Sequence, residues 1–284
     1  MTSPLVAVIA PGNMGSAIGA RLVENGVTVL TSLEGRSAAS AQRAKDAGLR
    51  AASDAEIAAA DIILSIVPPG EALALAQRLA PALEAAPRKP LYADCNAVSP
   101  QTVEKIAAVV TATGVRFADG GIVGGPPKKG QRGPRLYVSG ADAKPLAALA
   151  ERGLDVRVMD APVGGASALK MVYGGLNKGV VALGAAMALA AHRAGVGEDF
   201  HKELQASQAP LLEQLSRGVP DMFSKAYRWV AEMEEIADFT GKDAEAKTYD
   251  GFAQLYTRLA RDFESAKEEI GALAAFYGRD APKG

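Results

Sequence analysis

The sequence predicts an α/β chain: an N-terminal Rossmann-type doubly wound sheet, then an all-α C-terminal domain joined to it by a long helix. Three observations carry this expectation. Short apolar runs alternate with helix-patterned segments up to about residue 160. A glycine-containing turn separates the first run from the first helix. Beyond Ala166 no strand-like run appears.

In chain order, residues 5–10 form an apolar run that reads as a buried strand, and 14–25 follow with helical spacing at Ala17, Ile18 and Leu22. Residues 27–31 read as the second strand. Residues 37–47 are helical in composition and stop at Gly48. The run 62–67 is a strand closed by Pro68-Pro69, and 71–83 is a helix. Residues 91–94 are a strand, and Ser99-Pro100 starts another helix, with proline where the first turn tolerates it. Residues 115–119 and 136–139 read as further strands. Such alternation implies parallel pairing through right-handed crossovers. Residues 166–194 then read as one helix, roughly 40 Å long at 1.5 Å per residue, followed by helices over 199–217, 220–239 and 243–277. The expected domains are 1–163, a dinucleotide-binding Rossmann domain, and 164–284, a helical substrate and dimerisation domain.

Composition narrows the function. Hydrophobic residues make up 49% of 284, enough for a large core. A formal net charge of −1 supplies no global basic excess for nucleic acid. One cysteine, Cys95, allows no internal disulfide, and His192 and His201 belong to no ligand set, so no metal is expected. The start of the chain lacks a basic stretch followed by a long apolar one, and the apolar run 179–191 is too short to span a bilayer. These features read as a cytoplasmic protein without a membrane partner.

The turn after the first strand reads Ala10-Pro11-Gly12-Asn13-Met14-Gly15. A dinucleotide fingerprint uses glycines for a tight turn, for close approach to the pyrophosphate and for helix packing. Here the first glycine is Ala10, while Gly12 and Gly15 are kept. The helix start, Gly12 to Gly15, offers its amides to phosphate. The choice of cofactor falls about 20 residues on, where an acid favours NAD and an arginine NADP. The segment Thr31-Ser32-Leu33-Glu34-Gly35-Arg36-Ser37 has no acid at the strand end. Ser32, Arg36 and Ser37 favour NADP over NAD; Glu34 weighs the other way.

On these motifs the chain resembles the β-hydroxyacid dehydrogenase superfamily, which includes 6-phosphogluconate and 3-hydroxyisobutyrate dehydrogenases and imine reductases. It looks closest to 6-phosphogluconate dehydrogenase-like proteins with a DUF1932-type C-terminal domain. The resemblance rests on Gly12-Asn13-Met14-Gly15, Val67-Pro68-Pro69, residues 94–100, Asp119-Gly120-Gly121-Ile122-Val123-Gly124-Gly125 and residues 165–170, in that order. It implies that Val67 and Pro68 line the nicotinamide-ribose side and that Asn96 faces the nicotinamide. Gly121, Val123, Gly124 and Gly125 would sit at the substrate, with Lys170 as general acid/base. Independently, a lysine set among Leu169, Met171 and Val172 at a domain junction suits acid/base work, because desolvation lowers its pKa. A lysine that merely snorkels off a buried helix fits the same periodicity.

Two departures stand out. Gly174 occupies the place of the family asparagine, four residues after the lysine, and Val123 occupies the place of a serine that holds a substrate carboxylate. Tyr173 and Asn177 lie near the Lys170 face of the helix and are substitute substrate contacts. Glu232, beside Trp229 and Met233, is a weaker one. The basic loop 128–135 could draw in an anion, although a solvated loop is the commoner case. The expected activity is hydride transfer between a nicotinamide cofactor and a small carbonyl or hydroxy compound. Imine reduction and non-catalytic nucleotide binding are the alternatives. The Ala-rich long helix suggests a two-fold homodimer.

Overall fold

The computed structural model describes residues 3–128, 130, 131 and 133–278. The chain divides into two compact units at Met171/Val172.

In the first unit, strands β1 (Leu5–Ile9), β2 (Thr28–Thr31), β3 (Arg50–Ala51), β4 (Ile62–Ser65), β5 (Leu91–Asp94), β6 (Arg116–Val123), β7 (Arg135–Ser139) and β8 (Asp155–Val158) form one sheet in the order β3-β2-β1-β4-β5-β6-β7-β8. Helices α1 (Asn13–Glu24), α2 (Ala38–Asp46), α3 (Asp54–Ala58), α4 (Ala72–Ala85) and α5 (Pro100–Thr111) make the connections. The order reverses between β1 and β4, so the ends of those strands diverge and leave the crevice where doubly wound sheets bind ligands.

Strand alternation decides which helices cover which face. Ala7, Ile9, Ile63, Tyr92 and Phe117 point into one core with Leu75, Leu79, Val103 and Ile106 of α4 and α5. Val6, Val8, Val29, Leu64 and Ala118 point into the other with Ile18 and Leu22 of α1. Burial on both faces explains why the strands read as continuous apolar runs.

Two expectations for this unit need correction. The sheet is not parallel throughout, because β6 and β7 run antiparallel. The Gly- and Pro-rich segment between them turns the chain back directly, and only a parallel pair requires a crossover. The short elements β3, α3 and β8 were not anticipated. β3 has two residues, too few for any periodicity, whereas Val156 and Val158 of β8 do alternate.

The second unit is helical. α6 (Gly165–Arg193) is continuous for 29 residues and the unit boundary falls within it. α7 (Gly197–Ser207), α8 (Ala209–Met222), α9 (Ala226–Thr240), α10 (Ala244–Phe263) and α11 (Glu268–Phe276) follow. Interior glycines weaken a helix by roughly 1 kcal/mol each relative to alanine, yet α6 carries several. Packing explains three of them. A Cβ on Gly175 would meet the Tyr249 hydroxyl at 2.9 Å, one on Gly179 the Phe252 ring at 3.3 Å and one on Gly184 Leu215 at 2.5 Å.

The expected helices 199–217 and 243–277 are each two. The first breaks at Gln208, because Pro210 has no N–H to give and its ring clashes with the carbonyl four residues back, so it fits only in the first turn of a new helix, α8. The second breaks after Phe263, where the carboxylate of Asp262 accepts from the amides of Glu268 and Ile270 and so starts α11. The helix expected from 220 begins at Ala226, after a 3-10 turn over Phe223–Lys225.

Candidate functional site

The glycine turn leads from β1 into α1. Gly12 is the N-cap of α1, and no side chain caps the helix, so the first-turn amides face outward for an anion. A Cβ on Gly15 would clash with the Ala10 carbonyl oxygen, whereas one on Gly12 would meet nothing within 4 Å. Gly15 is therefore fixed by packing and Gly12 leaves open space above the loop. Both fit a bound pyrophosphate. Asn13 is exposed and Met14 half-buried beside it.

The region beyond β2 gathers more cations than its own segment contains. Arg36 pairs with Glu71 at 3.0 Å. Ser37 caps α2 by accepting from the Ser40 amide. Ser32 is buried, and its hydroxyl accepts from Arg78 at 3.2 Å. Arg78, from α4, also reaches Asp54 at 3.2 Å and Glu34 at 3.9 Å. Arg43, from α2, donates through Nε to the Pro11 carbonyl at 3.2 Å and through its terminal nitrogen to Ser40 Oγ at 2.8 Å. The guanidinium thus lies against the glycine loop. Sequence reading missed Arg43 and Arg78, whose helices reach this corner only through the winding of the sheet.

Across the crevice, the ends of β4 and β5 are tied together. Asn96 Oδ1 accepts from the Val67 amide at 2.6 Å, and Asn96 Nδ2 donates to Ser65 Oγ at 2.9 Å and Asp94 Oδ1 at 2.5 Å. Asn96 is buried with both amide hydrogens engaged inside the protein, and it fixes Val67 rather than presenting a free amide. Pro68 is exposed beside it. Burial, outweighing the bonds from Asn96, pushes the Asp94 carboxyl up to about 7. The unfolded carboxyl titrates at about 3.9. The folded chain therefore favours the protonated form, and this contribution to stability is complete below about pH 4 and lost as pH rises to about 7. Compared by urea midpoints, Asp94→Asn should gain on the wild type across that window and hold a constant difference above it; parallel curves would contradict this.

The third wall is where β6 meets the start of α6. Lys170 Nζ donates to the Ile122 carbonyl at 2.6 Å. A Cβ on Gly121 would stand 2.6 Å from the Ala166 carbonyl oxygen and 3.3 Å from Lys170 Cβ, and one on Gly120 2.8 Å from Cys95 Sγ. Glycine at both places lets the strand touch the helix and the end of β5. Val123 is buried, and a cavity of about 370 Å³ opens beside it, Gly124 and Gly125, with Arg135 on its wall. In the basic loop Lys129 and Arg132 lie outside the described residues. Arg21 of α1 anchors that loop, donating to the carbonyls of Lys128 and Gln131 at 2.9 and 3.0 Å.

The remaining candidates belong to the second unit. Tyr173 is exposed, and its carbonyl accepts from Asn177 Nδ2 at 2.8 Å. Glu232 pairs with Lys178 at 2.8 Å, and that ammonium lies 5.5 Å from the centre of the Trp229 ring. No cluster of metal-ligating residues occurs among the described residues.

Comparison with known proteins agrees with the fold class. The NAD binding domain of 6-phosphogluconate dehydrogenase matches residues 5–150. The chain belongs to that family. The 6-phosphogluconate dehydrogenase-type domain is followed by a match to DUF1932, a domain of unknown function, over residues 191–259. Among solved structures, a conserved protein of unknown function described as similar to 3-hydroxyacid dehydrogenases is 28% identical, with a TM-score of 0.71 over 94% of this chain and 98% of its own. The 3-hydroxyisobutyrate dehydrogenase of Mycobacterium tuberculosis, solved with L-serine, is 17% identical, with a TM-score of 0.67 over 98% and 99%. An imine reductase from Myxococcus stipitatus, in complex with NADP+, is 19% identical, with a TM-score of 0.56 over 96% and 99%. At such identities the last two share the fold with this family member.

Proposed function

We propose that the protein is an NADP(H)-dependent oxidoreductase acting on a small carbonyl or hydroxy compound, with Lys170 as general acid/base. The observation that carries the reading is the position of the Lys170 ammonium, 2.6 Å from the Ile122 carbonyl at the head of the glycine segment. The bound cofactor supplies or accepts hydride at the nicotinamide. Gly12 to Gly15 hold its pyrophosphate, while Val67 and Pro68, fixed through Asn96, line the nicotinamide-ribose side. Reduction of a carbonyl builds negative charge on oxygen; an ammonium beside that oxygen stabilises it and delivers the proton. Gly121, Val123, Gly124 and Gly125 border the substrate, and Tyr173, Asn177 and Glu232 are second-unit candidates for holding it. NADPH oxidation followed across a panel of aldehydes, keto acids and cyclic imines tests the reading; tight NADPH binding without turnover on any of them would overturn it.

Two features favour cyclic imines as a second class of substrate. Val123 offers no hydrogen bond to a carboxylate, and Gly174 removes the amide that the resemblance places beside the lysine. Faster turnover of imines than of carbonyl compounds would select this reading.

The cofactor preference follows from Arg36 and Arg43. A 2′-phosphate seated there gains charge-assisted bonds that a ribose hydroxyl does not. Arg36→Ala and Arg43→Ala should each weaken NADPH binding on the order of tenfold, about 1.4 kcal/mol, with little change for NADH. Tighter binding of NADH than NADPH by the wild type would reverse the assignment.

A homodimer goes with the same reading. Val172, Leu176, Leu183 and Met187 are large apolar residues on α6 with 47–66% exposure in the single chain. Their helical spacing makes a stripe that a second copy would cover. The same helix is long and apolar enough to cross a membrane; its Lys170 and Lys178 favour the protein partner. Leu176→Glu with Leu183→Glu should halve the mass in sedimentation equilibrium, and a monomeric wild type would refute the dimer. A cytoplasmic setting suits NADPH and the unpaired Cys95.

A further inference from the structure

We propose that Asp119 is the positioning residue for Lys170, acting through a cap on α6 that comes from the sheet and not from the helix itself. In their functional meaning these contacts rest on the acid/base reading of Lys170. The geometry stands on its own.

The first amides of any helix lack intrahelical partners. α2, α3 and α5 each satisfy one with a serine of their own, Ser37, Ser53 and Ser99. α6 follows Pro162-Val163-Gly164 and has no such residue. Its amides are taken by two neighbouring strands. Asp119 of β6 accepts from the Ser167 amide at 3.0 Å and from Ser167 Oγ at 2.6 Å. Ser139 of β7 accepts from the Ala166 amide at 2.9 Å and donates to Asp119 at 3.1 Å. Asp119, Ser139 and Ser167 are all fully buried. A buried carboxylate at a helix N-terminus is stabilised by the helix dipole and by these donors.

The consequence for Lys170 is geometric. Ser167 and Lys170 are three residues apart on α6 and share a face. Asp119 and Ile122 are three apart on β6. One pair binds through Asp119, the other through the lysine and the Ile122 carbonyl. Gly121 between them lets the strand and helix backbones approach closely, so the helix start is held against the strand at both pairs. The strand that borders the substrate therefore also sets the height and rotation of the helix that carries the ammonium.

A purely structural role for Asp119 would lower the melting temperature and leave Lys170 as it was. The test reads Lys170 directly. The lysines of the full chain are reductively methylated with a carbon-13 label, Lys170→Arg identifies the resonance, and its titration is followed by NMR in wild type, Asp119→Asn and Ser167→Ala. Asp119→Asn removes the buried charge and should lower the Lys170 midpoint by about half a pH unit or more; Ser167→Ala keeps the charge, loses one bond and should move the resonance position. If Asp119→Asn does not fold, Ser167→Ala alone decides. An unchanged Lys170 resonance and midpoint in every folded variant would overturn the proposal. Undiminished turnover by Lys170→Ala would instead overturn the acid/base reading and leave the positioning result intact.

Discussion

Lys170→Ala should lower turnover by roughly a hundred- to ten-thousand-fold, the usual contribution of a positioned acid or base, while NADPH binds as in the wild type. The separation is expected because Lys170 bonds the Ile122 carbonyl of β6, three strands across the sheet from β1, which leads into the Gly12 to Gly15 loop. The loss should fall on kcat, since the proton is needed as charge develops on the substrate oxygen. Lys170→Arg keeps the positive charge but cannot give up its proton at ordinary pH. It should recover electrostatic stabilisation without the proton transfer and remain far below the wild type. Steady-state kinetics with the best substrate from the panel, beside fluorescence titration of NADPH, would check both variants. Equal kcat for wild type and alanine would remove Lys170 from the chemistry.

The second large effect separates two glycines of one loop. Gly15→Ala drives a methyl group into the Ala10 carbonyl oxygen, which is backbone and cannot turn aside. α1 must move off β1, at a cost of about 1–3 kcal/mol or more, and the phosphate-facing amides move with it. Both the melting temperature and NADPH binding should fall. Gly12→Ala meets nothing within 4 Å, and Gly12 has φ −69°, which alanine adopts freely. Its melting temperature should therefore stay within a degree or two of wild type, while NADPH binding weakens on the order of tenfold because the methyl group fills the space above the loop. Calorimetry and cofactor titration on the two variants would distinguish a packing glycine from a ligand-approach glycine. A large loss of stability in Gly12→Ala would show that the space is not open.

The parts of the site legible in the sequence are the local ones. Strand, turn and helix around Gly12 and Gly15 follow each other within a few residues, so pattern and spacing suffice to find them. The same holds for the continuity of α6, whose apolar periodicity outweighs its glycines. The break at Gln208 was legible too, through Pro210, and the alternation of β8 was there to be read.

Arg43 and Arg78 were not legible. Each looks like a solvated helical arginine until the sheet order places α2 and α4 beside the end of β2. The role of Asn96 was likewise hidden. An amide near a cofactor reads as a ligand contact; Asp94 is a local partner two residues away, but only the pairing of β4 with β5 brings Ser65 and Val67 close enough to engage it.

The sequence by itself determined the class of the fold and the strand, turn and helix around Gly12 and Gly15, and it singled out Lys170 as a candidate, because periodicity, glycine geometry and residue chemistry are properties of short segments. The tertiary structure decided what those residues touch. Asp119, Ser139 and Ser167 are far apart along the chain and meet because β6 and β7 are neighbours and α6 starts above them. The antiparallel turn between those two strands was hinted at by the Gly- and Pro-rich stretch 124–134, too short and too poor a helix former for a parallel crossover, but only the sheet shows which strands it joins. Hydrogen bonds between distant segments depend on register and winding, and these are fixed only when the two cores close on both faces of the sheet.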